Sequence, residues 1–289
     1  MWSDDVLPQI PFEGCHADYA DARLVIVGAG FDGTSSYRPG SRFAPQSIRA
    51  ETRLSQENYS PYFQVDLSEL AIHDAGDLDL PFGNKEEALR RIKKAVQQIV
   101  SDGKIPCVIG GEHLISLPVF QAVCQAYPDV HLLQLDAHLD LMDELFGDRL
   151  SHGTVMRRIL ETIGDGKRLF QVGVRSGSRE EFQFAQQHTQ LFLFHTREFQ
   201  KQVHLLEGHP VYLSLDVDVF DPALLPGTGT PEAGGIFFDE FIAFLKAIKP
   251  LNIVGCDLVE LSPRLDPTGN STITAAKILR ELLITILID

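Results

Sequence analysis

Eight short β-rich runs punctuate this chain, and several are apolar almost from end to end. They are RLVIV (23–27), LAIHD (70–74), IPCVIG (105–110), VHLLQLD (130–136), RLFQVGV (168–174), QLFLF (190–194), PVYLSLD (210–216) and NIVGCDL (252–258). A strand that is apolar on both faces must be covered on both, which is the condition of a parallel sheet held between helices. Helical patterns fall between most of the runs. EEALRRIKKAVQQIV (86–100) sets Ala88, Ile92, Ala95, Val96 and Ile99 on one stripe. FFDEFIAFLKAI (237–248) and STITAAKILRELLITIL (271–287) repeat that spacing. Alternation without a linker, a repeat or a break in composition predicts one α/β domain over residues 1–289 with a mostly parallel sheet. Periodicity alone leaves open whether the strands close into a barrel or lie open. Both arrangements gather their sites at the C-terminal ends of strands.

The strand ends are therefore where chemistry is sought. LQLDAHLDLMDE (133–144) places Asp136, His138 and Asp140 at every second position, on one face of an extended chain. CVIGGEHLIS puts Glu112 and His113 just past a buried run, VYLSLDVDVFDP puts Asp216 and Asp218 on one face, and IVGCDLVELSP ends with Asp257 and Glu260. An aspartate at a strand end is commonly an Asx-turn or a helix cap. Six such residues at one end of one sheet are a different matter. His113, Asp136, His138, Asp140, Asp216 and Asp218 would crowd four carboxylates together, and these could not stay ionised without compensating charge. Two divalent cations would supply it. An oxygen-rich set with no thiolate suits Mn²⁺ better than a structural zinc, and paired metals activate water for hydrolysis.

Other features narrow the function by exclusion. VGAGFDG holds a literal G-x-G-x-x-G at Gly28, Gly30 and Gly33, but TSSYRPGSR follows where a dinucleotide site needs a helix to begin. The first plausible helix starts near Pro45, so the glycines read as a tightly turned loop. Forty acidic against 25 basic side chains give a net charge of −15, which argues against a nucleic-acid partner and suits a cationic ligand or bound metals. Cys107 and Cys256 lie in apolar runs and no CxxC spacing occurs, so free buried thiols and a reducing compartment are expected. The opening MWSDDVLPQIPFEG is acidic and broken by prolines, unlike a signal or transit peptide. No apolar run approaches the ~20 residues that span a bilayer. A cytoplasmic protein without a membrane partner is the expectation.

The motifs GGEH (110–113), DAHLD (136–140), SHGT (151–154), SLDVDVFDP (214–222) and PGTGTPEAGG (226–235) resemble those of the ureohydrolases, the arginase and agmatinase family. FDGTSSYRPGSRFAPQSIR (31–49), DAGDL (74–78) and VELSP (259–263) extend the resemblance through most of the chain. It implies an open three-layer α/β/α fold with an eight-stranded sheet, and two Mn²⁺ per subunit. By motif position, His113, Asp136, Asp140 and Asp216 would hold one ion and Asp136, His138, Asp216 and Asp218 the other. Activated water would attack a guanidinium carbon, and the tetrahedral intermediate would collapse to urea and an amine. Asp140 resembles the residue that relays a proton to the leaving amine, His152 the histidine near the mouth, and Glu260 the glutamate that grips the guanidinium. Glu112, where many relatives have aspartate, reads as support and not as a ligand. Leu114 stands where a serine is common. A homo-oligomer, trimer or hexamer, is implied by resemblance only.

The substrate tail is expected at LMDELFGDRL (141–150), which carries Asp143, Glu144 and Asp148 against Arg149 and has no asparagine, serine or threonine. An acidic lip repels a carboxylate and attracts an ammonium. Asp143 and Glu144 are thus candidate substrate contacts, and agmatine, which would yield putrescine for polyamine synthesis, is the first choice. Guanidinobutyrate, guanidinopropionate and arginine are the alternatives within the chemistry. A non-catalytic metal-binding protein and a metal-dependent amide deacetylase are the alternatives outside it. The first would lack His152 or Glu260, and the second generally uses one zinc.

Overall fold

A computed structural model of the chain describes residues 5–7, 9–81 and 83–288. In chain order its strands are β1 (Val6–Leu7), β2 (Leu24–Ala29), β3 (Tyr59–Ser60), β4 (Val65–Asp66), β5 (Ile72–Leu78), β6 (Ile105–Gly110), β7 (His131–Leu135), β8 (Leu169–Val174), β9 (Gln190–Leu193), β10 (Pro210–Asp216) and β11 (Asn252–Val259). The helices are α1 (Ala44–Ser55), α2 (Lys85–Ser101), α3 (Ser116–Ala126), α4 (Val155–Ile163), α5 (Arg179–His188), α6 (Arg197–Gln200), α7 (Phe238–Ile248) and α8 (Asn270–Leu287). β3 and β4 form a small hairpin, and the other strands make one open sheet in the order β1-β5-β2-β6-β11-β10-β7-β8-β9. The sheet has nine strands where the sequence predicts eight. All eight expected runs are present and pair in parallel, and the ninth, β1, adds antiparallel to β5. Two residues are too few to carry a periodic signal.

The continuous apolar runs are explained by two cores. Leu24 and Ile26 of β2, Cys107 and Ile109 of β6 and Leu133 and Leu135 of β7 pack with Ile48 of α1, Phe241 and Phe244 of α7 and Leu282 of α8. The intervening Val25, Val27, Val108 and Leu132 pack on the opposite face with Ile92 and Val96 of α2, Phe120 of α3 and Ile159 of α4. Successive side chains leave a strand on opposite faces, so the residues of a doubly covered strand are mostly apolar, and polar ones such as Gln134 and Ser214 are buried with hydrogen-bond partners. α2 buries the stripe expected for it, Ala88, Ile92, Ala95, Val96 and Ile99, and Asn84 caps its first turn by accepting from the Glu87 amide at 3.1 Å. All four cysteines are free, with Cys107 and Cys256 buried. Among the described residues no helix is long and apolar enough to cross a membrane.

Gly28 lies in β2, and the chain after it runs as loop and one 3-10 turn (Ser41–Phe43) until α1 begins at Ala44 with Pro45 in its first turn, so no helix begins directly behind Gly28, Gly30 and Gly33. The DAGDL motif anchors that helix. Arg49 of α1, 1% exposed, places its Nε 2.7 Å from Asp74 Oδ2 and its Nη2 2.8 Å from Asp74 Oδ1, and also pairs with Asp77. Gly111 has a different role. A Cβ there would lie 1.8 Å from the Phe31 carbonyl oxygen, so only glycine lets the 31–38 loop pack directly against the end of β6.

What positions the site is the middle of the sheet. β6, β11, β10 and β7 are consecutive neighbours, although β6 and β7 are consecutive in the chain and β10 and β11 arrive much later. Ligands in open α/β sheets gather outside the C-terminal ends of strands, where the winding reverses.

Candidate functional site

Each strand of this central quartet delivers its motif where the strand ends. β6 leads through Gly110 and Gly111 to His113, β7 to Asp136, His138 and Asp140, β10 to Asp216 and Asp218, and β11 to Glu260. His113 Nδ1 lies 3.1 Å from Asp136 Oδ2, 3.0 Å from Asp140 Oδ2 and 3.3 Å from Asp216 Oδ2. His138 Nδ1 lies 2.8 Å from Asp218 Oδ2 and 3.7 Å from Asp136 Oδ1. Two groups have ligand atoms all within 4.8 Å of one another: His113, Asp136 and Asp140, and Asp136, His138 and Asp218. Asp136 belongs to both. Asp216 falls outside these two groups, but it touches His113 and receives the Asp218 amide at 2.8 Å.

The electrostatics of the cluster are those of a site short of positive charge. Burial alone would lower His113 and His138, yet the surrounding carboxylates outweigh it and hold both imidazoles above their usual range. Burial is likewise opposed at Asp136, where the two histidines hold the carboxyl below its ordinary value. The remaining acids cannot share that relief. Burial and the charge of Asp136 push Asp140 up to about 7, and burial with the charges of Asp218 and Asp136 raises Asp216. The donor set accommodates divalent cations on a geometric observation as well. His113 Nδ1 is buried, faces three carboxylate oxygens and makes no hydrogen bond of acceptable geometry. A buried nitrogen left without a partner amid acceptors is where a cation belongs.

Two cradle residues hold backbone conformations that side chains rarely adopt, Asp140 with φ 53° and Glu260 with φ 65°. Both are fixed from outside. The Asp140 carbonyl accepts the amides of Met156 and Arg157 at 3.0 and 3.3 Å, in the first turn of α4, and the Glu260 amide donates to Gly111 at 2.9 Å. Glu260 Oε1 accepts the His113 amide at 2.7 Å. Burial and the nearby charge of Glu112 push the Glu260 carboxyl up to about 8.

His152 opens the turn before α4, partly exposed at the edge of the cradle. Its amide donates to Thr34 Oγ1 at 3.2 Å, its Nδ1 is 3.0 Å from the Thr34 carbonyl oxygen, and its Nε2 is 3.1 Å from Ser36 Oγ. A carbonyl only accepts, so Nδ1 carries the proton and Nε2 accepts from the Ser36 hydroxyl. Burial lowers this imidazole below its usual value against the pull of Thr34. Glu112 is in neither ligand group. It accepts from the Thr34 amide at 2.9 Å, from Thr34 Oγ1 at 2.5 Å and from Ser35 Oγ at 3.2 Å, and burial raises it to about 7. Leu114 is fully buried in the core, so no hydroxyl is missed at that position.

The 141–150 loop is less acidic in space than in sequence. Asp143 Oδ1 lies 2.7 Å from Arg158 and 3.3 Å from Arg149, and Asp148 pairs with Lys85. Arg158 and Lys85 reach in from outside the loop, which counting charges within it could not reveal. Glu144 has no ion-pair partner among the described residues. Asp143 and Glu144 line a hollow of 460 Å³ with Arg157, Glu180, Glu181 and Phe184, and no cradle residue lines that hollow.

Several supporting residues had no motif to announce them. Gln134 Nε2 donates to Asp136 Oδ2 at 2.6 Å and itself receives Gln171 Nε2 at 2.8 Å. Arg175 clamps the Asp218 and Glu232 carbonyls at 2.7 and 2.8 Å, tying the turn after β10 to the 226–235 loop. A polar residue two positions before a cradle acid, as at Gln134 and Ser214, shares its strand face. That was the available signal.

Comparison with known proteins agrees with this geometry. The model of the arginase family matches residues 22–285. An agmatinase of Bacillus anthracis is 43% identical over 273 residues, covering 93% of each chain. A guanidinobutyrase of Pseudomonas aeruginosa is 35% identical, over 89% of this chain and 84% of its own. The crystal structure of a putative agmatinase from Clostridium difficile superposes with a TM-score of 0.90 at 46% identity, covering 93% of this chain and 99% of that one.

Proposed function

The chain belongs to the arginase family, and from that premise we propose that it hydrolyses agmatine to putrescine and urea at a binuclear metal centre. The observation that carries the reading is the pair of ligand groups sharing Asp136 at the ends of β6, β7 and β10. His113, Asp136, Asp140 and Asp216 would hold one ion, and Asp136, His138, Asp216 and Asp218 the other. Manganese suits the oxygen-rich donors. Two such ions would supply a nucleophile generated from water at neutral pH and balance the carboxylates that hold them.

The chain's own groups do the rest. Glu260 offers Oε2 to the guanidinium while the His113 amide holds Oε1, which orients the substrate carbon over the cradle. Asp140 carries a proton from the attacking water to the leaving nitrogen, which departs as an amine. His152, with Nε2 as acceptor, exchanges protons at the mouth. The Glu260 grip and the presence of His152 argue against a non-catalytic protein, and the paired ligand groups argue against a one-zinc deacetylase.

Agmatine is favoured over other guanidines by the agmatinase relatives at about two-fifths identity. A carboxylate-tailed substrate is the second reading, since Arg149 stands in the same loop and a guanidinobutyrase is among the relatives. One domain, a cytoplasmic location and a homo-oligomer, trimer or hexamer, complete the proposal. The test is urea release from purified Mn²⁺-loaded protein given agmatine, guanidinobutyrate and arginine in parallel, with a chelated control. Urea mainly from agmatine supports the reading. Urea mainly from guanidinobutyrate overturns the substrate and keeps the centre.

A further inference from the structure

Asp257 stands at a strand end beside the cradle acids in the sequence, yet the reaction proposed above does not use it. It lies within β11, in register with Ser214 on β10 and Val108 on β6, and is fully buried. A carboxylate in that position is expensive unless its oxygens are satisfied. Here hydroxyls satisfy them. Ser214 Oγ donates to Asp257 Oδ1 at 2.7 Å and Tyr212 OH donates to Asp257 Oδ2, while Ser116 Oγ lies 3.5 Å from Ser214 Oγ.

The direction of these bonds has a consequence one residue further on. Ser214 has a single hydroxyl proton, and Asp257 takes it. Toward its other neighbour, His113 Nε2 at 2.9 Å, the Ser214 oxygen can then only accept. Nε2 must therefore carry a hydrogen. That leaves Nδ1, the buried nitrogen facing Asp136, Asp140 and Asp216, as the position that presents a lone pair. We propose that Asp257, acting through Ser214, is a positioning residue that fixes the tautomer and ring orientation of His113 for a divalent cation. Tyr212 holds Asp257 in turn. The inference rests on the reading of His113 as a metal ligand, and it assigns the role to residues that never touch metal or substrate.

Asp257→Asn keeps the shape but brings an amide that can donate to Ser214. Ser214 can then donate to Nε2, which moves the imidazole hydrogen onto the ligand nitrogen. Ser214→Ala removes the acceptor and frees the ring. Ser214→Thr keeps the hydroxyl. Leu258→Ala, next to Asp257 on the same buried strand, damages packing without touching the relay.

The experiment is calorimetric titration of the full-length, metal-stripped protein with Mn²⁺, supported by metal counting and by electron paramagnetic resonance of the loaded forms. Wild type should take up two ions close enough to couple magnetically. Asp257→Asn and Ser214→Ala should each weaken one of them about 10- to 100-fold and leave the other, as loss of a bond behind a metal-bound histidine does. Coupling should then give way to the spectrum of an isolated ion at limiting Mn²⁺. Ser214→Thr should restore the second ion, and Leu258→Ala should lower the unfolding midpoint without changing either affinity. The proposal is overturned if folded Asp257→Asn and Ser214→Ala both bind two ions as wild type does, or if Leu258→Ala weakens the same ion equally. If Asp257→Asn does not fold, Ser214→Ala decides alone. A wild-type protein that binds no divalent ion overturns the metal-centre reading itself, and shows it before any variant is made.

Discussion

At the scale of single residues, the site separates groups that hold charge from groups that hold geometry. Asp136 is shared by both ligand groups, so Asp136→Asn should abolish bound metal and urea production together, measured by metal counting beside the urea assay. Glu260→Gln should behave differently. It keeps a side chain that can accept the His113 amide but loses the second carboxyl oxygen offered to the guanidinium. The expected cost is about 3 kcal/mol, roughly a 10²-fold fall in kcat/KM with both metals retained. Metal loss in Glu260→Gln would make it a ligand support instead. The 141–150 loop allows a finer test, because its acids are not equivalent. Asp143 is held by Arg158 and Arg149, whereas Glu144 has no ion-pair partner among the described residues. Glu144→Gln should raise KM for agmatine by about two- to five-fold at low salt, and less at high salt, as a rim charge does. Asp143→Asn should change KM less and lower the unfolding midpoint slightly. Equal KM effects from the two variants would mean that the loop reads charge collectively.

At the scale of elements, what could be read from the sequence was what repeats or clusters along the chain. The eight parallel strands follow from nearly continuous apolar runs and helices such as α2 from a period of 3.6, and the cradle acids follow from alternation at strand ends. Three things were invisible for physical reasons. β1 is too short to have a period, the ion pairs that quench Asp143 and Asp148 come from other elements, and the partners of His152 come from the 31–38 loop more than a hundred residues away. Helix ends lie between these cases. Asp266 precedes α8 and accepts from the amides of Thr268 and Ser271 at 3.0 and 2.8 Å and from both hydroxyls. Burial opposes its ionisation, but these donors outweigh it and hold the carboxyl at about 2, below its ordinary value of 3.8. A carboxyl lowered by folding contributes stability above the unfolded-state value and loses it as pH falls from there toward the folded one. Asp266→Ala should therefore cost about 1 kcal/mol near neutrality, the scale of a lost cap. Its deficit relative to wild type should shrink between pH 4 and 2, followed by urea unfolding across that range. A deficit that stayed constant to pH 2 would assign Asp266 a packing role only.

At the scale of the whole molecule, the cradle is a debt in the metal-free chain. Four carboxylates and two imidazoles converge at the end of the central strands, and burial together with the neighbouring carboxylate charges raises Asp140 and Asp216. Binding of cations to the folded state alone should stabilise it by mass action, about 4 kcal/mol at a thousandfold excess over Kd for one site. Thermal unfolding should accordingly shift downward on chelation and return with added Mn²⁺, and the shift should be much smaller in Asp136→Asn. A chelation shift of the same size in that variant would place the stabilising ions elsewhere.

The strand order also dictates a sequence of events in time. β6 and β7 follow one another in the chain but lie apart in the sheet, and the gap between them is filled by β10 and β11, the last strands to be made. A growing chain on the ribosome therefore carries His113 and DAHLD long before Asp216 and Glu260 can join them. Until residues 210–259 arrive, the two halves of its sheet share no strand pairing. The final strands enter at the centre of the sheet and not at its rim, so closing the hydrophobic cores and completing the cradle are a single late step, and a nascent chain has no finished trap in which to sequester metal.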